Sequence, residues 1–173
     1  MEETIQPRER LVAAAAELMH ERGYTAVGVN DICVAADVKR GSFFHYFPAK
    51  RDIALAVLDR QWNFERTEIF EASFSKEYPP LDRIKKIFGA SYEYQAAKRT
   101  QAGHMLGCPF GLLAAEMSTQ DEVIRERLQE IFSEAAAYFA DALAEISEQE
   151  DVPIDAETAE LEDYPFPPHP EVD

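Results

Sequence analysis

The chain has 173 residues, 46% of them hydrophobic, which fits one compact domain or a small domain joined to a larger one. It contains no run of about eighteen apolar residues to span a membrane, and its acidic N-terminus without an apolar stretch speaks against a secretory leader. A net charge of −16 argues at first against nucleic acid, because DNA binding depends on neutralising phosphates with Lys and Arg. The distribution of charge points the other way. Lys39, Arg40, Lys50 and Arg51 lie between Val38 and Arg51 with no acid among them, whereas fourteen Asp and Glu but no Lys or Arg follow Arg127. A local basic patch can dock on DNA while the acidic remainder weakens non-specific binding. Cys33 and Cys108, isolated and without CxxC spacing, point to a reducing cytoplasm rather than a disulfide framework.

In chain order the pattern is helical almost throughout. From Arg8 to Arg22 the apolar residues Leu11, Val12, Ala15, Leu18 and Met19 recur three and four apart. Pro7 suits a first turn, and Gly23 follows the last turn as a cap. A short helix is predicted from Val29 to Ala36 with Gly28 at its N-cap, and another from Arg40 to Phe47, ended by Pro48. A longer amphipathic helix, Lys50 to Phe74, carries Ile53, Val57, Leu58, Trp62, Ile69 and Phe70. Tyr78-Pro79-Pro80 breaks the chain, and a helix follows from Leu81 to Lys98. Thr100 to Gly107 reads as a loop. Pro109 to Met117 can start a short apolar helix, and Asp121 to Ser147 is strongly periodic through Ile124, Leu128, Ile131, Phe132, Ala135, Phe139, Leu143 and Ile146. From Glu148 the chain turns acidic and proline-rich, with a short helical piece expected at Asp155 to Leu161 and disorder after it.

The informative stretch is Val27 to Lys50. Two short helices flank the tight turn Asp37-Val38-Lys39, the spacing of a helix-turn-helix. Ile32 and Ala35 are expected in the core, Ala36 is small enough for close approach, Val38 can plug the turn, and Phe43 and Phe47 anchor the second helix. Arg40, Ser42, Phe44, His45 and Tyr46 are left toward the outside. An α-helix fits the major groove with its N-terminal residues at the base edges. Arg40 suits a bidentate contact to guanine, and Gly41 lets the backbone approach. Ser42, His45, Tyr46 and Lys50 suit phosphate oxygens, which set register rather than sequence. On spacing alone, a helical hairpin with a solvated basic face fits equally well.

Gly23-Tyr24, Asp31-Ile32, Ala35-Ala36 and, above all, Lys39-Arg40-Gly41-Ser42-Phe43-Phe44-His45-Tyr46-Phe47 with Lys50 resemble the DNA-binding domain of the TetR family over about residues 8–58. The resemblance implies a homodimeric repressor that reads a palindromic operator and is usually displaced by a small ligand. It implies a DNA contact set of Lys39, Arg40, Gly41, Ser42, Phe44, His45, Tyr46 and Lys50. Three residues depart from the pattern. Phe44 stands where the family usually has Tyr, Asp37 replaces a common Gly in the turn, and Lys39 replaces a frequent Ser or Pro. The expected organisation is all-α: a helix-turn-helix domain at 1–58, a helical regulatory and dimerising domain at 59–150, and an acidic tail at 151–173. The resemblance also implies two long final helices. Asp155 to Glu160 looks like the start of the first, which Tyr164-Pro165-Phe166-Pro167-Pro168 stops, so a weak dimer is expected.

Gly107-Cys108-Pro109-Phe110-Gly111 resembles the G-C-L-like segment of a TetR subgroup that includes sensors of reactive electrophiles and acrylate-type compounds. A thiol at a helix N-terminus has its thiolate favoured by the helix dipole, and His104 and Lys98 lie nearby in sequence. Cys108 is therefore the candidate sensor, against the reading of a small packing thiol. Cys33 reads as core. The aromatics Trp62, Phe70, Phe74, Phe88, Tyr92, Tyr94, Phe110, Tyr138 and Phe139 read mostly as core, with a few left to line an effector pocket. Two other functions compete. A di-iron bundle needs the ExxH spacing of Glu17 and His20 twice, and it occurs once; no catalytic motif, metal site or cofactor is expected. A TetR-like interaction protein with impaired dimerisation and DNA binding is the other, because of the stunted final helices.

Overall fold

In the computed structural model, residues 6–103 and 106–150 are described, apart from the side chains of 101, 102 and 150. The expected helical piece at Asp155 to Leu161 and the tail lie outside them. Among the described residues there is no strand, and no helix is long and apolar enough to cross a membrane.

α1 runs Pro7–Arg22, with proline in its first turn, where no intrahelical N–H is needed. It stops at Gly23, whose φ of 83° favours glycine. Leu11, Val12, Ala15 and Met19 form its buried stripe. α2 is Val29–Ala35 and α3 is Arg40–Tyr46. The turn between them closes by two backbone bonds, Asp37 N–H to the Val34 carbonyl at 3.2 Å and Val38 N–H to the Cys33 carbonyl at 3.0 Å. That pairing ends a helix on a left-handed residue, and Asp37 supplies it at φ 51°. Ala35 does not join the core as expected: it is exposed. A two-turn helix can bury only a narrow stripe, and here that stripe is Ile32, Cys33 and Ala36.

α4, Lys50–Glu65, does not continue unbroken to Phe74. It passes into a π-helical stretch, Arg66–Glu71, and after two more helical residues the chain bends at Phe74. The extra residue per turn rephases the face, so that Ile69 and Phe74 reach a second, smaller core with Ile87 of α5 and Ala142 of α7. α5 is Pro80–Ala102, longer than predicted. Thr100 to Ala102 are helical because nothing stops them until Gly103, which is left-handed at φ 78°. α6 is Pro109–Met117 and α7 is Glu122–Glu150.

One apolar core runs from the first three helices into the rest of the chain. Leu11, Ile32, Phe43 and Ile53 continue through Leu58, Trp62, Phe110 and Leu113 to Ile124, Leu128 and Ile131. The boundary expected after residue 58 falls inside the continuous α4. Trp62, 2% exposed, donates its indole N–H to Glu134 at 2.7 Å, so α4 is pinned to α7 by burial and by a polar bond. At the far end Arg83, 5% exposed, holds both Glu145 oxygens at 2.9 and 2.8 Å and the Tyr78 carbonyl at 2.7 Å. Both carboxylate oxygens share the one Nη1, and this charge-assisted contact ties α5 to α7. The aromatics divide: Trp62, Phe74 and Phe110 are buried, whereas Phe88 and Tyr92 of α5 stand in solvent.

Candidate nucleic-acid interface

The candidate interface is the outer side of α3. Phe43 is fully buried and Phe47 nearly so, their ring centroids 5.8 Å apart. Four residues apart, they hold the inner side of α3 to the core and leave the opposite side in water. Lys39, Arg40, Gly41, Phe44 and His45 are exposed, and Ser42 and Tyr46 are half-buried. A side chain at Gly41 would meet nothing within 4 Å, so backbone and surface there are open.

Arg40 is directed rather than loose. Its Nη1 donates to Asn30 Oδ1 at 2.7 Å, and its guanidinium carbon lies 5.5 Å from the Phe44 ring centre. Phe44 itself stands edge-on to Phe43 with centroids 5.2 Å apart. Of the nearby acids, Asp31 accepts the Gly28 N–H and Asp52 the Ala49 N–H, both at 2.7 Å, while Asp37 in the turn before α3 is fully exposed. Most of the acidity lies elsewhere in the chain. Residues 1–58 hold seven Lys and Arg against eight Asp and Glu, and the other 115 residues hold ten against twenty-five.

Lys50, a candidate phosphate contact, is half-buried, and part of its donor capacity is spent inside the protein. Its ammonium donates to the Tyr24 carbonyl at 2.5 Å and lies 4.1 Å from the centre of the Tyr24 ring. Burial lowers its pKa, an effect partly offset by the Glu116 and Asp31 charges. The Tyr24 and Thr25 N–H groups both donate to Glu116 of α6, at 3.1 and 2.8 Å. Burial alone would raise the Glu116 carboxyl. Hydrogen bonds from Thr25 and Tyr24 and the charge of Lys50 outweigh it and hold the group below the usual carboxylate value. The sequence pattern gives Asn30, Tyr24 and Glu116 no such roles. Glu116 lies 92 residues from Tyr24, so no local pattern could have joined them.

Cys108 is the N-cap residue of α6, and its thiol is exposed. His20 of α1 reaches the carbonyl of the preceding Gly107 at 3.0 Å. Lys98 lines a cleft with Glu17, His20, Gln61, Tyr94 and Leu106, and His104 lies outside the described residues. Cys33 is buried, and burial pushes its thiol pKa up, against the pull of Arg40. No group of three or more His, Cys, Asp or Glu able to hold a metal occurs among the described residues.

Residues 11–57 match the family described as bacterial regulatory proteins, tetR family, and residues 80–163 match the tetracyclin repressor-like C-terminal domain. The repressor DhaR of Mycobacterium sp. (strain GP1) is 30% identical over 138 residues, which cover 80% of this chain and 66% of DhaR. The repressor NemR of Escherichia coli (strain K12) is 31% identical over 121 residues, 70% of this chain and 59% of NemR. The crystal structure of reduced E. coli NemR superposes with a TM-score of 0.69 at 30% identity, covering 83% of this chain and 72% of that one. The chain thus spans roughly two thirds or less of these two curated relatives.

Proposed function

The chain belongs to the TetR family of bacterial regulatory proteins, and on that premise we propose that it reads its operator through α3. It is a helix-turn-helix DNA-binding regulator of transcription. The observation that carries the site assignment is the division of α3 into a side locked by Phe43 and Phe47 and an open side of Arg40, Gly41, Phe44 and His45. Arg40 reads base edges. Gly41 admits the phosphate backbone, and Lys39, Ser42, His45, Tyr46 and Lys50 set the register on phosphates. Phe44 offers no hydroxyl and contributes apolar contact.

The working unit is two chains on a palindrome, with heads about 34–36 Å apart or a multiple of it. The exposed, uncharged side of α7, with Gln129, Phe132, Ser133, Ala136, Ala140 and Leu143, supports pairing there. The acidity of the remaining surface keeps that dimer weak at low salt. The head comprises residues 1–58 and the regulatory part 59–150. Repression is relieved by a small effector or by an electrophile at Cys108. The exposed thiol at the start of α6 supports the second route, as does the His20 tie to Gly107. The names of the relatives as regulators and repressors, together with the open face of α3, favour this reading over an interaction protein that has lost DNA binding.

Selection of duplexes from a random pool, followed by gel shift across a salt series and light scattering of the complex, tests the proposal. A recurring two-fold sequence bound by two chains is the expected outcome. Uniform binding of all sequences, or none, would refute it.

A further inference from the structure

We infer that Glu116 is a positioning residue for DNA binding: from α6 it fixes the turn between α1 and α2, and through that turn the pose of the recognition helix. The inference rests on the DNA-binding reading above.

The turn that leaves α1 has little regular structure to hold it. Gly23 spends its N–H on Met19, and the next two amides, those of Tyr24 and Thr25, go to the two oxygens of the one Glu116 carboxylate. Hydrogen bonds to an ionised acceptor are roughly twice as strong as neutral ones. The fit is close. A Cβ at position 23 would lie 2.3 Å from Glu116 Oε1, so a side chain there would have to displace the carboxylate, in addition to the strain of a φ of +83°. The same turn is held from its other side. The Tyr24 carbonyl takes the ammonium of Lys50, the first residue of α4, four residues beyond the end of α3. An acid from α6 thus holds the turn by its N–H groups, and a base from α4 holds it by its carbonyl. Gly28, at the other end of the turn, is the N-cap of α2.

The packing leaves these polar bonds a distinct task. A small cavity lined by Met19, Tyr24, Leu58, Phe110, Leu113 and Glu116 separates α6 from α1. Across that gap, Glu116 at one end of α6 and the His20 bond to Gly107 at the other tie the two elements. A shift of α6 therefore pulls on the turn through Glu116, and a side chain that only filled space would not engage both backbone amides.

The test uses the full chain and a duplex that the wild type selects from a random pool. Amide hydrogen exchange should quicken tenfold or more at Tyr24 and Thr25 in Glu116→Ala, and by less in Glu116→Gln, which keeps a neutral acceptor. Exchange in α7 around Ile124 to Ile131 should be unchanged, showing that the fold persists. Affinity for the duplex should fall about tenfold in Glu116→Ala and less in Glu116→Gln. Gly23→Ala should weaken binding alone, but less when added to Glu116→Ala, because the clash is then gone. A wild type that selects no duplex overturns the DNA-binding reading beneath the proposal. Normal selection overturns the role of Glu116 alone if any of three results follows: unchanged exchange at Tyr24 and Thr25, unchanged affinity in Glu116→Ala, or additive effects of the two substitutions.

Discussion

Replacing Arg40 with Ala removes a guanidinium that the free protein already holds in place. Its Nη1 bonds Asn30 at 2.7 Å, and its guanidinium carbon lies 5.5 Å from the Phe44 ring centre. A guanidinium carries five N–H donors, so one can stay on Asn30 while two others face O6 and N7 of a guanine. Asn30 then acts as a buttress that lowers the ordering cost of the contact. A bidentate contact to guanine discriminates by about 1–3 kcal/mol, a loss of about 5- to 150-fold in affinity. Asn30→Ala loses only the buttress, about 0.5–1 kcal/mol for an exposed hydrogen bond, or about two- to fivefold. The double variant should bind no worse than Arg40→Ala, because without Arg40 the buttress supports nothing. Arg40→Lys should not restore binding, since an ammonium lacks the planar fork. Fluorescence anisotropy with the selected duplex, and with each of its guanines replaced in turn, measures all of this. One guanine should become indifferent in Arg40→Ala. Equal weakening on every duplex would make Arg40 a phosphate contact, and additive losses for Asn30 and Arg40 would remove the buttress.

Lys50→Ala should weaken binding evenly across sequences and lower the salt slope by about one; it should also lower the melting temperature, because the Tyr24 carbonyl loses its charged partner and keeps only the Val27 N–H. An unchanged slope would confine Lys50 to that structural bond. Mild N-ethylmaleimide or hypochlorite should release the wild type from DNA but leave Cys108→Ser bound; a native Cys108 that resists alkylation would make the segment structural. Asp37→Gly should stabilise the chain by about 1 kcal/mol, raising Tm by about 2–4 °C. It relieves a left-handed Asp at φ 51° and gives up only an exposed 3.7 Å pair with Arg10; a lower Tm on calorimetry would contradict the strain argument. Burial raises the Glu65 carboxyl pKa, against the pull of its bond from Gln61. A raised carboxyl holds its proton more tightly when folded, so stability declines as pH climbs above the ordinary carboxylate range. Glu65→Gln should remove that slope and gain on the wild type at pH 7 relative to pH 4, read from urea midpoints; parallel midpoints at both pH values would refute it.

What the sequence determined is what neighbours along the chain decide among themselves. Pro7, Gly23 and Pro109 mark helix ends because proline lacks an N–H and glycine tolerates positive φ, and the structure places α1 and α6 at those marks. The spacing of Phe43 and Phe47 predicts the buried side of α3, and Asp37 sits in the left-handed turn that its residue type allows. The site was legible to the same depth: which side of α3 is open follows from four-residue spacing. Only the tertiary structure decided where the long side chains go. Lys50 reads as a free cation until Tyr24 is beside it, and Glu116 reads as one more surface acid until the turn at Gly23 is beneath it. Ala35 faces water because the neighbouring helices claim only one narrow stripe of α2. The π-helical stretch after Glu65 is likewise a tertiary feature, since it places Phe70 against Tyr138 and Phe139 from α7. Helix propensity and capping act over about four residues, whereas burial and ion pairing depend on distances in space that the order of residues along a chain does not contain.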